Sequence, residues 1–327
     1  MIVAACDPAT ELSFVTVSAG LMHTCGITNA GRAYCWGDNF VGQLGDGTAT
    51  LFQTRPVAVA GGLRFAAVSA GDVHSCGQTT AGAAYCWGDN TSGELGDGTT
   101  INTAIPIWST TPVQVIGGLG FAAVSAGGVV DNTGPHSCGV TTAGKAYCWG
   151  NNAYAELGDG TTIARASPVP VTGGLSFAAL SVGGAHNCGI TTAGVTFCWG
   201  DNSTGQLGDG TTTSRGTPVP VIGGLRFAVV SAGMRVASQT HAGGSAHTCG
   251  LTTAGTAYCW GDNTAGELGD GTTIPRTNPV AVAGGLSFAA VSVGGNHNCG
   301  ITTAGTAYCW GDNTAGQLGD GTTLGRT

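Results

Sequence analysis

A chain of 327 residues with 60 glycines, 13 cysteines, 9% charged residues and a net charge of −8 is long enough to bury a large core. It carries no cluster of basic residues, so recognition of a nucleic-acid backbone is not expected. No apolar stretch reaches the length of a membrane span, and thirteen cysteines point to an oxidising compartment unless metals hold them.

The first residues contain a short apolar run, Ile2-Val3-Ala4-Ala5. It is too short for a complete signal peptide and lacks a basic flank. It is expected to form a strand that closes a ring of repeats. In the alternative reading Val3-Ala4-Ala5-Cys6 resembles a bacterial lipobox, with Cys6 as a lipid anchor.

The next stretch, Phe14-Val15-Thr16-Val17-Ser18-Ala19, reads as a strand, with counterparts beginning at Phe65, Phe121, Phe177, Phe227 and Phe288. A hairpin follows each one, at 23–39, 74–90, 136–152, 186–202, 247–263 and 297–313. After a Gly/Asp/Asn-rich loop comes a strand expected to begin at Pro56, Pro112, Pro168, Pro218 and Pro279, since proline suits an edge or a strand start. A Gly-Gly-Leu turn leads to the next repeat. Units of about 50 residues with four β segments are the signature of propeller blades. Trp36, Trp87, Trp149, Trp199, Trp260 and Trp310 are separated by 51, 62, 50, 61 and 50 residues, the two long intervals holding insertions. The expected architecture is all-β: one β-propeller domain over residues 1–327 with six repeats.

Twelve cysteines fall in pairs ten residues apart: Cys25/Cys35, Cys76/Cys86, Cys138/Cys148, Cys188/Cys198, Cys249/Cys259 and Cys299/Cys309. With Asn29-Ala30-Gly31 as a three-residue loop closed by a left-handed glycine, Cys25 lies opposite Cys35. That places the pair about 4.5–5.5 Å apart at Cα, within disulfide range. Metal binding is the alternative, but structural zinc sites join two closely spaced units. Alternation puts Cys25, Ile27, Ala33 and Cys35 on one face of the hairpin. Tyr34 and Trp36 lie on the other, opposite Gly26 and Thr24, and are expected to pack between blades.

His23-Thr24-Cys25-Gly26-Ile27-Thr28, then Gly31, Tyr34-Cys35-Trp36-Gly37-Asp38-Asn39 and Gly42-Gln43-Leu44-Gly45-Asp46-Gly47, resembles the repeat of the regulator of chromosome condensation family. The resemblance recurs six times over nearly the whole chain. It implies a β-propeller, usually seven-bladed in that family. The family includes a nuclear exchange factor for a small GTPase and a secreted bacterial inhibitor of β-lactamases. The paired cysteines and low basic content resemble the secreted bacterial branch more. Neither member's function transfers, because no partner-engaging residues are recognisable.

The Gly-Gly-Leu turns and hairpin loops belong to one end of the blades. The insertions Ile101–Thr111, Val129–Pro135 and Met234–Ala246 all belong to the other. Variable loops on a rigid frame often carry recognition, and aromatic and arginine side chains are favoured anchors. The candidate binding face therefore comprises Phe40, Phe52, Trp108, Asp131, Asn132, Tyr154, Arg235 and His241. The expected partner is another protein or copies of the same chain, and the expected location is secreted or cell-surface. The alternatives are an extracellular filament subunit joined by strand exchange and a carbohydrate-binding surface protein. No cofactor is expected, and no catalytic constellation stands out.

The recurring His23, His74, His136, His186, His247 and His297 are expected to make structural hydrogen bonds to neighbouring turns. The Asp-Asn and Asp-Gly loops miss the EF-hand spacing and read as Asx turns rather than a metal site. Asn90 and Asn202 lie in N-x-S/T sequons.

Overall fold

The computed structural model describes residues 12–99, 107–128, 134–234 and 246–327. Within them the chain is a six-bladed β-propeller of antiparallel sheets in which sequential strands are neighbours. The inner strands are Phe14–Ala19, Phe65–Ala70, Phe121–Ala126, Phe177–Val182, Phe227–Ala232 and Phe288–Val293. Successive inner strands pack on one another around the axis. Two hairpin strands follow in each blade, His23–Thr28 and Ala33–Asp38 in the first. The outer strands are Phe52–Ala58, Trp108–Gln114, Arg165–Pro170, Arg215–Pro220 and Arg276–Ala281. Blade 6 has three strands, and Arg326 bridges to Gly311 where the others have an outer strand. The segment Ile2–Ala5, expected to complete the ring, and Cys6 lie outside the described residues.

The hairpin register is the same in all six repeats. Cys25 pairs with Cys35, Gly26 with Tyr34, Thr24 with Trp36 and Ile27 with Ala33, and the other hairpins repeat this. Gly31 closes the first loop at φ 73°, the left-handed region that costs a side chain energy. The six cysteine pairs are disulfides with Cα–Cα separations of 4.0–4.1 Å. These are shorter than the spacing expected of an unlinked pair.

Two expectations need correction. The outer strands begin three or four residues before the prolines, so Pro56 is the fifth strand residue and Pro168 the fourth. Between Cys35 and Gly37 the pairing shifts register opposite Gln53–Val57. Pro56 lies within this irregular stretch, where a missing N–H costs least. Alternation alone assigns the glycine opposite each hairpin aromatic to making room for the neighbouring blade, and its partner is a different one. A Cβ at Gly26 would lie 2.7 Å from Phe14 Cδ1, and Gly77, Gly139, Gly189, Gly250 and Gly300 meet Phe65, Phe121, Phe177, Phe227 and Phe288 in the same way. The glycine makes room for the phenylalanine of its own blade's inner strand, not for the neighbouring blade. That ring in turn packs on the blade's tryptophan, with Phe177 and Trp199 centroids 5.8 Å apart.

The core lies between blades. Trp87, Trp149, Trp199 and Trp260 are fully buried against the disulfide face of the preceding blade. Each indole occupies a slot over a glycine: a Cβ at Gly45 would lie 2.7 Å from Trp87, and Gly96, Gly158, Gly208 and Gly269 repeat the fit with the next tryptophans. A polar triad crosses the same interface. His23 Nε2 bonds Ser75 Oγ at 2.7 Å, Ser75 Oγ donates to Gln43 O, and Trp87 Nε1 donates to the same carbonyl. His74/Ser137/Trp149 on Glu94 O repeats it, as do His136/Asn187/Trp199 on Glu156 O. His186/Thr248/Trp260 on Gln206 O and His247/Asn298/Trp310 on Glu267 O complete the series. His23, His74, His136, His186 and His247 are therefore structural, but their partner is the strand residue of the next blade, which itself holds the turn. Serine, asparagine and threonine interchange there because each accepts from the imidazole Nε2–H while donating to the carbonyl.

Candidate functional site

The blade end that carries the insertions is built from the loops after each hairpin and the starts of the outer strands. Each loop is clasped by one asparagine. Asn263 Oδ1 accepts from Leu268 N at 2.9 Å, while its Nδ2 donates to Asp270 Oδ1 and to the carbonyls of Thr272 and Ile274. Asp270 also accepts from Thr272 N and Oγ1 and pairs with Arg276 at 3.0 Å. Arg165, Arg215 and Arg326 pair equivalently with Asp159, Asp209 and Asp320. Although burial acts upward on Asp270, hydrogen bonds from Thr272 and Arg276 hold its carboxyl below the usual value. The loops are thus Asx turns whose carboxylates are already used. Among the described residues no group of His, Cys, Asp and Glu is arranged to hold a metal. Asn90 and Asn202 are buried in the same clasps, their Nδ2 atoms bonded to Thr99 Oγ1 and to Asp209. The folded protein does not present either sequon to a glycosylating enzyme.

Of the candidate face residues, Phe40, Phe52, Trp108 and Tyr154 are described; Asp131, Asn132, Arg235 and His241 lie outside the described residues. Trp108 was assigned to an insertion, yet it opens an outer strand and pairs with Asp89, as Phe52 does with Asp38. These are equivalent positions on blades 2 and 1, and in both the ring stands out into solvent, 41% and 63% exposed. Phe40 and Leu51 are similarly exposed on blade 1. Phe52 also borders a cleft of about 600 Å³ with Met22, Trp36 and Thr54.

Tyr154 is half-buried at a second cleft of about 470 Å³, lined also by Thr161, Thr162, Ser214 and Gly216. Its loop departs from the repeat in backbone as well. Ala155 has φ 64°, the one non-glycine with positive φ among the described residues. Its counterparts Gly42, Gly93, Gly205 and Gly266 press against the next outer strand, where a Cβ would lie 2.6–2.9 Å from Thr110, Ala166, Thr277 and Arg326–Thr327 atoms. At this interface the small residue has changed sides: Gly216 faces Ala155. Gly216→Thr is expected to destabilise by about 1–3 kcal/mol through overpacking. Ala155→Gly in the same chain should recover most of that loss, a coupling that a double-mutant cycle by chemical denaturation measures.

Buried titrating groups sit just beneath this face. Burial lowers His23, His136 and His247 to about 4 and His74 and His186 to about 3. Burial also raises Glu267 to about 7 and Asp72 to about 6, and Glu94 lies well above its ordinary value through burial and then Asp89. The amide-bearing blades show the cause: Gln43, Gln206 and Gln317 donate to Asp38, Asp201 and Asp312, whereas a glutamate needs a proton to do so. The lowered histidines contribute stability above about pH 6.5 that is lost as pH falls toward 4. The raised carboxyls contribute stability below about pH 4.5 that is lost as pH rises through 7. The melting temperature is expected to peak near neutral pH and fall steeply below pH 6. Glu94→Gln should raise it at pH 8 and leave it unchanged at pH 4.5; thermal melts across pH check both.

No helix among the described residues is long and apolar enough to cross a membrane. The chain is 27% identical over 272 residues to the Ultraviolet-B receptor UVR8 of Arabidopsis thaliana, covering 82% of this chain and 58% of the receptor. It is 29% identical to the human E3 ubiquitin-protein ligase HERC2 over 82% of this chain and 4% of the ligase. It thus spans little more than half of the receptor and a small part of the ligase. Its fold is that of human WBSCR16, with TM-score 0.81 and 19% identity over 97% of this chain and 81% of that one. It also matches yeast RCC1 (Prp20), solved bound to Kap60, with TM-score 0.77 and 20% identity over 98% and 74%. The RCC1-like domain family profile matches residues 3–326, so the chain belongs to the RCC1-like domain family.

Proposed function

We propose that this RCC1-like propeller is a non-enzymatic binding protein that engages another protein through the insertion-bearing end of its blades. The observation that carries the reading is convergence. The described flanks of all three insertions and the exposed rings of Phe40, Phe52 and Trp108 lie at one end of the blades, while the hairpin loops at the other end repeat with little change. Exposed aromatics beside recessed clefts are what a protein partner buries. One solved relative supports the class: yeast RCC1 (Prp20) has been solved bound to Kap60 and characterised for its binding to Gsp1p and histones. Six disulfides suit an oxidising environment, so the site of action is the cell exterior or surface of a bacterial-type host.

The test is affinity capture with the immobilised chain, followed by titration of the captured protein against variants. Phe40→Ser/Phe52→Ser/Trp108→Ser should weaken binding at least about 10-fold, and Arg32→Ala/Lys145→Ala on the opposite end should not. Unchanged affinity of the triple variant would sink the reading. Capture of glycans in place of protein would move the face to the carbohydrate alternative.

A further inference from the structure

Charge is sorted by blade end. The hairpin loops and the Gly-Gly turns lie together, since Phe65 N donates to Gly31 O, and Phe121, Phe177 and Phe288 repeat the bond to the glycines of the other loops. Arg32 and Lys145 hold the same place in two hairpin loops, directly after the loop glycine, and Arg64 and Arg226 hold the same place directly before two inner strands. The other repeats have alanine, valine, threonine, glycine or serine at these places. Among the described residues no hairpin loop or Gly-Gly turn contains an aspartate or glutamate; the carboxylates lie in the loops after the hairpins, at the hairpin ends Asp38 and Asp89, and at Asp72. The four cations are far apart in sequence, and the fold gathers them at one end.

All four are exposed. Arg64 Nη1 donates to Ala30 O, Arg226 Nη1 to Ala193 O at 2.8 Å and Lys145 Nζ to Gly174 O at 3.3 Å. These carbonyls hold the side chains at the loop tips but carry no charge to offset theirs. Arg165, Arg215, Arg276 and Arg326, toward the other end, each face an aspartate instead. The ground between the cations is open: a Cβ at Gly62, Gly174, Gly224 or Gly285 would meet nothing.

We infer that the hairpin end of the propeller docks on a lipid bilayer carrying anionic headgroups, held there by Arg32, Arg64, Lys145 and Arg226. The cations sit on the hairpin loops of blades 1, 3 and 4 rather than around one pocket, so only a broad ligand reaches them together. A plane does so without nearing the aspartate-bearing loops. A flexible polyanion longer than the face would run over its rim into them and be repelled. The net charge of −8 does not oppose docking, because at physiological ionic strength a charge acts over about 8 Å and the bilayer responds first to the cations beside it. The proposal stands apart from the protein-binding one, since the two use opposite ends. Docking leaves the insertion-bearing end facing away from the bilayer.

Cosedimentation with vesicles tests it. The chain should bind vesicles of phosphatidylglycerol and phosphatidylcholine in equal parts, and not vesicles of phosphatidylcholine alone. Each cation at an anionic surface strengthens binding roughly 5-fold, so Arg32→Ser/Lys145→Ser should lower the partition coefficient roughly 25-fold. The charge-keeping Arg32→Lys/Lys145→Arg should leave it unchanged. Salt at about 1 M, where the Debye length is about 3 Å, should release the chain. Both substituted side chains are exposed, so the serine variant should melt with the parent. Equal binding to the two kinds of vesicle, or full binding by the serine variant, overturns the proposal. Binding of double-stranded DNA or polyphosphate as tight as that of the anionic vesicles also overturns it, by giving the face to a soluble polymer. Capture of a protein by the insertion-bearing end is independent of all these results.

Discussion

Trp199→Ala is expected to cost about 3–5 kcal/mol, whereas Trp36→Ala costs about 1 kcal/mol or less. The two residues hold the same place in the repeat, so propensity and local sequence predict no difference. The difference lies in the neighbour. Trp199 is fully buried, packs on Phe177, fills the slot over Gly158 and donates to Glu156 O at 2.8 Å. Its removal opens a cavity between blades 3 and 4, and the surrounding disulfides limit collapse into it. Trp36 is half-buried, packs on Phe14 and faces a cleft. Denaturant unfolding of both variants measures the gap, and equal losses would mean that blade 1 is covered as completely as blade 4.

Removal of the disulfides is expected to have the second large effect. Each closes a loop with a sequence separation of ten residues, which on the chain-entropy model contributes about 2–3 kcal/mol. Together the six contribute an amount comparable to the total stability of an ordinary domain, so the fully reduced chain is expected to lose cooperative unfolding near 37 °C. Reduction should be ordered. Cys25, Cys35, Cys76, Cys86, Cys138, Cys148, Cys188, Cys198, Cys249 and Cys259 are all fully buried, whereas Cys299–Cys309 lies on the open side of blade 6. That bond should be the first to yield to a thiol reductant without denaturant, as alkylation and mass spectrometry report. Simultaneous loss of all six would contradict the packing described here.

The spacing of the cysteines about the hairpin glycine was enough to place every disulfide, because an antiparallel pair admits one register once its loop is fixed. The tryptophans were legible as inter-blade core for the same reason: alternation sets them opposite the disulfide face. The bulged outer strands were less legible, since a proline marks where pairing is irregular but not how far the strand extends before it. Phe52 and Trp108 therefore looked like loop residues. The triad through Ser75, Ser137, Asn187, Thr248 and Asn298 depends on contacts between residues 31 to 63 positions apart. A repeat read one copy at a time does not show them. The exchange of Ala155 and Gly216 follows from the close approach of loop and outer strand, which neither repeat shows by itself.

The central claim is that one interface rule joins the six blades and stops at the Trp36 face of blade 1. Indole hydrogen exchange followed by ¹⁵N-resolved NMR tests it most directly, because the rule assigns every tryptophan N–H. Trp87, Trp149, Trp199, Trp260 and Trp310 each donate to a buried carbonyl and should exchange slowly. Trp36 and Trp108 should exchange fast. Protection of the Trp36 indole to the level of the five would contradict the account, since it requires a blade face against Trp36 that the rule leaves vacant.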